Sequence, residues 1–266
     1  MIKKLLNSKI LLFLFFTAVT MLFVGAAISD GGKGRLHKTA ADFYIMDINN
    51  LYMPMDNTGV LANVSDIGGK FDNIVFLFSG GFFVSGVNPD GLMWGNGVMS
   101  ASRITDYRPG PVGSNPLDPK HGMYVVNASD EPFGESWQNW KTAVDLGADF
   151  YDGDGDGIYN PVDKNGNGIW DPDEDRPDLI GNVTAWSVIN DAIPSSKRRF
   201  NVEPEGVEIH QTIFAFGNTE YSLVNTLFIR YRIFNKSGND WDSLYFAIAV
   251  DPDLGNYTDD LAGSDS

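Results

Sequence analysis

Apolar and polar positions alternate most clearly in the last third of the chain. Val207, Ile209, Ile213 and Ala215 share one parity, with Glu208, His210 and Thr212 on the other. Leu223, Leu227, Ile229, Tyr231 and Ile233 follow, interleaved with Arg230 and Arg232, and the turn at residues 235–240 leads into Leu244, Phe246, Ile248 and Val250. Period-two alternation between Gly- and Asn-bearing turns predicts antiparallel strands with one face on a core and one wet face, which places His210 on the polar side of its strand. Earlier in the chain, residues 71–84 read as two buried strands around Ser79, Gly80 and Gly81. Residues 91–105 form a glycine-punctuated strand region containing Trp94, and residues 183–189 read as a further strand. Residues 107–118 are rich in Pro and Gly and predict an irregular loop.

One stretch has a different period. Trp137, Trp140 and Val144 recur at i, i+3 and i+7, so residues 136–146 predict a short helix with an apolar stripe. The fold class that follows is all-β: an antiparallel β-sandwich, immunoglobulin-like or jelly-roll-like, with one short helix and a loop-dominated insertion. The expected organisation is an N-terminal β region at 30–135, the helix and insertion at 136–182, and C-terminal sandwich strands at 183–266. The chain stops soon after an acidic loop, and a truncated C-terminal region is expected. The 29 glycines, 13 prolines and 13% aromatic content agree with a β-rich chain.

The first residues predict a compartment. Lys3, Lys4 and Lys9 precede an almost wholly apolar run from 10 to 24, and small residues follow at 25–29. That order predicts a secretory signal peptide at 1–29, with an uncleaved N-terminal anchor as the alternative. No cysteine is present, which excludes both a disulfide framework and a lipid-modified N-terminal cysteine. Bound metal is then an available source of stability for a secreted domain.

Charge narrows the partners. Removing the leader's three lysines from 19 basic residues leaves 16 against 35 acidic ones, net −19. Such a surface repels nucleic acid and anionic lipid, so no nucleic-acid partner and no stable membrane insertion after cleavage are expected. Residues 152–178 hold nine of the acids and residues 251–265 five more.

The stretch from Asp152 carries the candidate chemistry, because it contains two overlapping twelve-residue calcium-loop patterns. Loop one offers Asp152, Asp154 and Asp156 at positions 1, 3 and 5, Gly157 at 6, the Ile158 carbonyl at 7, Asn160 at 9 and Asp163 at 12. Loop two restarts at Asp163 and continues with Asn165, Asn167, Gly168, the Ile169 carbonyl, Asp171 and Glu174. Calcium takes six to eight oxygens in flexible geometry, and the glycine makes the sharp turn that lets alternate side chains converge. Asp, Asn and Gly are also plain turn formers. A solvated acidic turn leaves unexplained the apolar residues at position 8, Tyr159 and Trp170, which are placed to anchor each loop to a core. Loop one carries more charge and loop two the better closing ligand, with Asp163 expected to serve both. No exit helix follows, because Pro177 and Gly181 intervene. The loops therefore resemble the loop-dominated repeats of thrombospondin type 3 and dockerin modules more than a helix–loop–helix EF-hand.

Other chemistry is thinly supported. His37, His121 and His210 are far apart and do not make a zinc pattern. There is no nucleophile elbow and no cysteine nucleophile. The glycines at 80–81, 95 and 97 lack phosphate-loop spacing. A glycosidase needs two opposed carboxylates, for which Glu203, Glu205 and Glu208 are the least loop-like candidates. Trp94, Trp137, Trp140 and Trp241 would stack on sugar rings if exposed, and otherwise fill a core. Asp251, Asp253, Asp259, Asp260 and Asp265 have calcium-type ligands at a spacing that fits no loop template.

The segment Trp186-Ser187-Val188-Ile189-Asn190-Asp191, the strand at 207–214 and the ending at 251–261 together resemble a group of large, uncharacterised secreted proteins of Bacteroidetes-type bacteria. Members usually finish with a type IX secretion sorting domain, which this chain lacks. The resemblance runs from about Asn49 to the end, implies an outer-surface or released protein, and implies no enzyme activity. The expected function is a calcium-binding structural or adhesive surface module whose partner is a cell-surface or extracellular polysaccharide or protein. The alternative is the non-catalytic, glycan-binding N-terminal region of a larger polysaccharide-degrading enzyme.

Overall fold

A computed structural model describes residues 42–62, 64, 68–99, 104–217, 223–256 and 258–261. The expected leader at 1–29, with His37 and Asp265, lies outside the described residues. In chain order the strands begin with β1 (Phe43–Met46), β2 (Leu51–Asp56), β3 (Leu61–Ala62), β4 (Gly69–Phe71), β5 (Ile74–Leu77), β6 (Ser79–Val87), β7 (Met93–Met99) and β8 (Ile104–Thr105). After β9 (Arg108–Pro109) and β10 (Tyr124–Asn127) comes the helix α1 (Glu135–Asp145). The chain then runs through β11 (Phe150–Tyr151), β12 (Arg176–Pro177), β13 (Val183–Asn190), β14 (Val207–Ala215), β15 (Leu227–Asn235) and β16 (Asp242–Asp251).

Among the described residues these strands make two main antiparallel sheets. The first is ordered β5-β4-β2-β3-β6-β7-β8, with β1 on β2 and β16 on β6; the second is β10-β13-β14-β15, with β9 on β13. The sheets face each other as a sandwich. Met46, Met53, Met55, Leu61 and Leu77 of the first pack with Val183, Ala185, Ile213 and Ala215 of the second. Phe82, Val84, Trp94 and Val98 likewise meet Ile189, Val207 and Ile209. Ser187 and Gln211, a buried cross-strand pair, lie between these two apolar groups in the sequence of β13 and β14.

The all-β antiparallel sandwich expected from the alternation is the observed fold, and the helix expected at 136–146 is α1. Several details differ. Ser79, Gly80 and Gly81 lie inside β6, and the break falls at Phe78; a second turn, at Asp72 and Asn73 with φ of 47° and 66°, separates β4 from β5. The two β regions distinguished in the sequence also interleave. β10 pairs with β13, and β16 pairs with β6, so residues 183–266 are shared between both sheets. The interleaving arises because pairing between strands far apart in the chain leaves no local mark on the sequence.

The wet face expected on β14 is a further correction, since Glu208, His210 and Thr212 are all buried. α1 explains why. Its stripe of Trp137, Trp140 and Ala143 is buried, and Trp140 and Ala143 pack with Ala148, Tyr124, Val126, Trp186 and Val188 on the outer face of the second sheet. The helix ends at Gly147, whose φ of 109° suits a residue without a side chain. A Cβ there would lie 2.4 Å from the His210 ring, so the same glycine lets the helix terminus press onto β14. β13, covered on both faces, is buried along its whole length.

Candidate metal centre

The insertion leaves and returns at one point. β11 and β12 form a two-residue ladder, Phe150 opposite Pro177 and Tyr151 opposite Arg176, which pinches the stem of everything between. Asp149 and Asp178 flank the stem. Asp149 accepts two hydrogen bonds from Arg232 Nη1 at 2.6 and 2.7 Å, and Asp178 accepts one from Arg230 at 2.8 Å. Both ends are thus held to β15.

The two loops within the stem repeat the same wiring. Gly155 and Gly157 N–H donate to Asp152 Oδ1 and Oδ2 at 2.8 and 2.9 Å; Gly166 and Gly168 N–H donate to Asp163 Oδ1 and Oδ2 at 2.6 and 2.7 Å. Asp156 N–H bonds Asp154 and Ile158 N–H bonds Asp156, as Asn167 N–H bonds Asn165 and Ile169 N–H bonds Asn167. The four glycines have φ between 75° and 78°, a left-handed turn that side chains disfavour. Donors from alternate residues are thereby turned inward, and the position-7 residues Ile158 and Ile169 leave their side chains exposed.

Closure of the loops follows the same repeat, with one departure from the twelve-residue template. Glu174 closes loop two by accepting Lys164 N–H at 2.6 Å and Asp171 N–H at 2.9 Å, which are positions 2 and 9. In loop one the same two positions, Gly153 and Asn160, donate to Asp175 at 3.0 and 2.7 Å. Glu174 and Asp175 are 1% and 2% exposed. Asp163 accepts Gly166, Asn167 and Gly168, all within loop two. The structure therefore places Asp163 at the head of loop two and gives the closure of loop one to Asp175. A template scanned within twelve residues misses Asp175, because its loop is closed from beyond the intervening one. The visible signal was the second acid directly after Glu174.

The position-8 aromatics anchor the loops. Tyr159 is buried with Trp140 and Trp186 in the cluster under α1, and its hydroxyl donates to the Trp137 carbonyl at 3.0 Å. Trp170 is half-buried. Its Nε1 donates to the Glu174 carbonyl at 2.9 Å, and the Arg176 guanidinium lies 4.8 Å over its ring.

Carboxylate oxygens of Asp152, Asp154 and Asp156 come within 4.8 Å of one another. These three carboxylates are a hard-oxygen set of the kind calcium takes, and Asp175 holds the loop that carries them through the Gly153 and Asn160 amides. A carboxylate oxygen that accepts one amide keeps a lone pair for a cation. Loop two offers Asp163, Asp171 and Glu174 with the amides of Asn165 and Asn167, whose Nδ2 groups both bond Asp171 Oδ2, at 2.7 and 3.0 Å. The local cation is Lys164, whose Nζ lies 3.0 Å from Asp154 Oδ2. That hydrogen bond is the largest cause holding the Asp154 carboxyl below its ordinary value, and the Gly168 amide does the same for Asp163.

The other sequence candidates resolve differently. Trp94, Trp137 and Trp140 are buried, and Trp241 is half-buried edge-on to Trp94 with ring centroids 5.5 Å apart. Glu203 and Glu205 sit in the loop before β14. Glu208 is buried, accepts Val112 N–H at 2.9 Å and lies 3.2 Å from His210 Nε2. His121 is buried far along the chain from His210 in the segment between β9 and β10. Of the acidic ending, Asp260 accepts Leu254 N–H at 3.1 Å. Desolvation, then Asp251 and Asp260, pushes the Asp253 carboxyl up.

Asp191, in the segment quoted for the resemblance, is a buried structural clasp. Its carboxylate accepts Glu205 N–H at 2.7 Å, Val207 N–H at 2.9 Å and Asn96 Nδ2 at 3.1 Å, and faces Arg198 at 3.6 Å. Tyr107 donates to Asn96 at 2.8 Å. This network ties the loop between β13 and β14 to β7. Burial pushes the Asp191 carboxyl up, opposed by these amides and by Arg198.

Comparison with known protein families, with curated proteins and with solved structures finds no match to this chain. Among the described residues no helix is long and apolar enough to cross a membrane.

Proposed function

We propose that the protein is a secreted, calcium-binding structural or adhesive surface module in which calcium rigidifies the insertion on a β-sandwich. The observation that carries this reading is the repeated wiring of the two loops, each headed by an aspartate that takes two glycine amides and closed by a buried carboxylate. Turn formers alone require neither the buried closing acids nor an aromatic anchor at position 8 of each loop. Calcium supplies the positive charge that gathers these carboxylates, and the chain supplies turn, closure and anchor. Extracellular modules of this kind work at about 10⁻⁴ to 10⁻³ M. At calcium a hundredfold above its dissociation constant, each site adds roughly 2.7 kcal/mol to folding stability.

Three of the four tryptophans named for the glycan-binding alternative are buried, which favours the first reading. The test is calcium calorimetry on the purified protein, paired with melting curves in calcium and in chelator. Saturable heat with a rise in Tm is expected. No heat and no shift would reduce the insertion to an acidic turn.

A further inference from the structure

The chain contains three Asn-Gly pairs, at 96–97, 165–166 and 167–168, and the fold holds them in two different ways. An asparagine before glycine is open to attack on its own side chain, because the next backbone nitrogen has no Cβ beside it. Asn96 and Gly97 lie in the middle of β7. Asn96 is 1% exposed, donates to Asp191 at 3.1 Å and accepts from Tyr107 at 2.8 Å, while Gly97 N–H donates to Asp106 at 3.0 Å. Freeing this pair therefore means opening the sandwich. Asn165 and Asn167 stand in tandem in loop two and are exposed. The bonds that hold them run between residues 163 and 171. Gly166 and Gly168 N–H donate to Asp163, both asparagine Nδ2 groups donate to Asp171 Oδ2, and each Oδ1 accepts the N–H two residues on.

These bonds restrain chemistry as well as shape. Attack requires the glycine nitrogen to lose its proton and reach the asparagine Cγ, and requires Nδ2 to depart. A glycine N–H given to the Asp163 carboxylate keeps its proton, and the bonds to Asp171 hold each Nδ2 in place. Because the restraint is local, it lapses whenever loop two opens, while the sandwich stays folded. We propose that Asn165 and Asn167 are deamidation sites, restrained as long as loop two keeps its wiring. In the step, the glycine nitrogen bonds to Cγ and the Cγ–Nδ2 bond breaks. The glycine amide proton leaves with Nδ2 as ammonia. Water then opens the cyclic imide at either carbonyl and restores the N–H, giving an aspartyl or an isoaspartyl residue. The aspartyl product puts carboxylates at positions 3 and 5 of loop two, where Asp154 and Asp156 stand in loop one. The isoaspartyl product routes the backbone through an extra carbon and breaks the glycine turn. The modification itself is independent of calcium, and only its control by calcium rests on the proposed function.

The test incubates the purified protein in chelator and follows each Asn-Gly pair by peptide mass spectrometry. Asn165 and Asn167 are expected to turn to acid about tenfold or more faster than Asn96. In urea the three rates converge, since unfolding frees every pair alike. Asp163→Ala and, independently, Glu174→Gln speed the change at 165 and 167. Asn96 stays slow in both variants, which also shows that each remains folded. Asn165 and Asn167 reacting no faster than Asn96 in the folded protein, or no faster in either variant than in wild type, overturns the proposal. Excess calcium is expected to slow both sites about tenfold or more, because a ligand of the closed loop suppresses its opening. Equal rates in calcium and chelator, with the preference over Asn96 kept, would end the calcium reading and leave the two deamidation sites standing.

Discussion

Asp175 closes loop one, although its neighbour Glu174 closes loop two. The Asp175 carboxylate takes the Gly153 and Asn160 amides at 3.0 and 2.7 Å, and the Glu174 carboxylate takes the Lys164 and Asp171 amides at 2.6 and 2.9 Å. One dipeptide thereby locks both loops into a single unit, and its two members are separable by mutation.

Asp175→Asn is expected to weaken calcium at loop one by about tenfold or more and to spare loop two, with Glu174→Gln doing the reverse. Asp163→Ala is expected to damage loop two alone. Calorimetry that resolves two binding events checks all three. If Asp163→Ala abolishes both events, Asp163 is shared and the assignment of Asp175 fails.

Tyr159 ties loop one to the helix layer. Tyr159→Phe keeps the ring and loses the bond to the Trp137 carbonyl, a cost of about 1 kcal/mol. Tyr159→Ala also empties a buried site and is expected to cost roughly 3 kcal/mol. Urea denaturation gives both values, and limited proteolysis should cut the insertion faster only in the alanine variant.

Burial decides which ion pair matters. Asp191 and Arg198 are almost fully buried, so Asp191→Ala takes a carboxylate away from a buried guanidinium, leaves the Glu205 and Val207 amides without this acceptor and is expected to cost roughly 3–5 kcal/mol. Asp149 and Arg232 form a closer pair but are well exposed, and Asp149→Ala is expected to cost below about 1 kcal/mol. Equal losses in urea titrations of the two variants would contradict this ordering.

His121 predicts a pH dependence. Burial holds its imidazole below the ordinary histidine value, with Asp118 and the Asn115 carbonyl pulling the other way. A folded-state value lying below the unfolded one means the unfolded chain binds the extra proton first. The stability linked to this group is therefore complete above the unfolded value near 6.5 and is lost as pH falls from there toward the folded value. His121→Leu should flatten that part of the Tm profile relative to wild type. Parallel profiles from pH 7.5 to 5 would exclude the linkage.

Much of this was legible locally. The parity of Val207, Ile209 and Ile213 named a core face, and Trp137 with Trp140 named the buried side of a helix, because a strand or helix face is fixed by its own period. The loop glycines and the aromatics at Tyr159 and Trp170 marked turns and anchors for the same reason: each acts within a few residues. What lay out of reach was every property created by pairing at long range. Glu208 and His210 are polar, so alternation put them in water; only the folded chain, with the Val112 amide on Glu208 and the helix terminus at Gly147 on His210, shows that they are covered. Leu244, Phe246, Ile248 and Val250 have the pattern of a core strand, yet β16 joins the other sheet, where Phe246 packs on Phe82 and Tyr231 while Ile248 and Val250 stay exposed. Asp175 lies outside the loop it closes, and only the folded chain brings it there. The sequence by itself determined the elements, their inward faces and the residue types gathered in the insertion, since these follow from local periodicity and turn chemistry. Tertiary structure alone decided which sheet each strand joined, which polar groups lost water and which carboxylate closed which loop, because those depend on contacts between residues far apart in the chain.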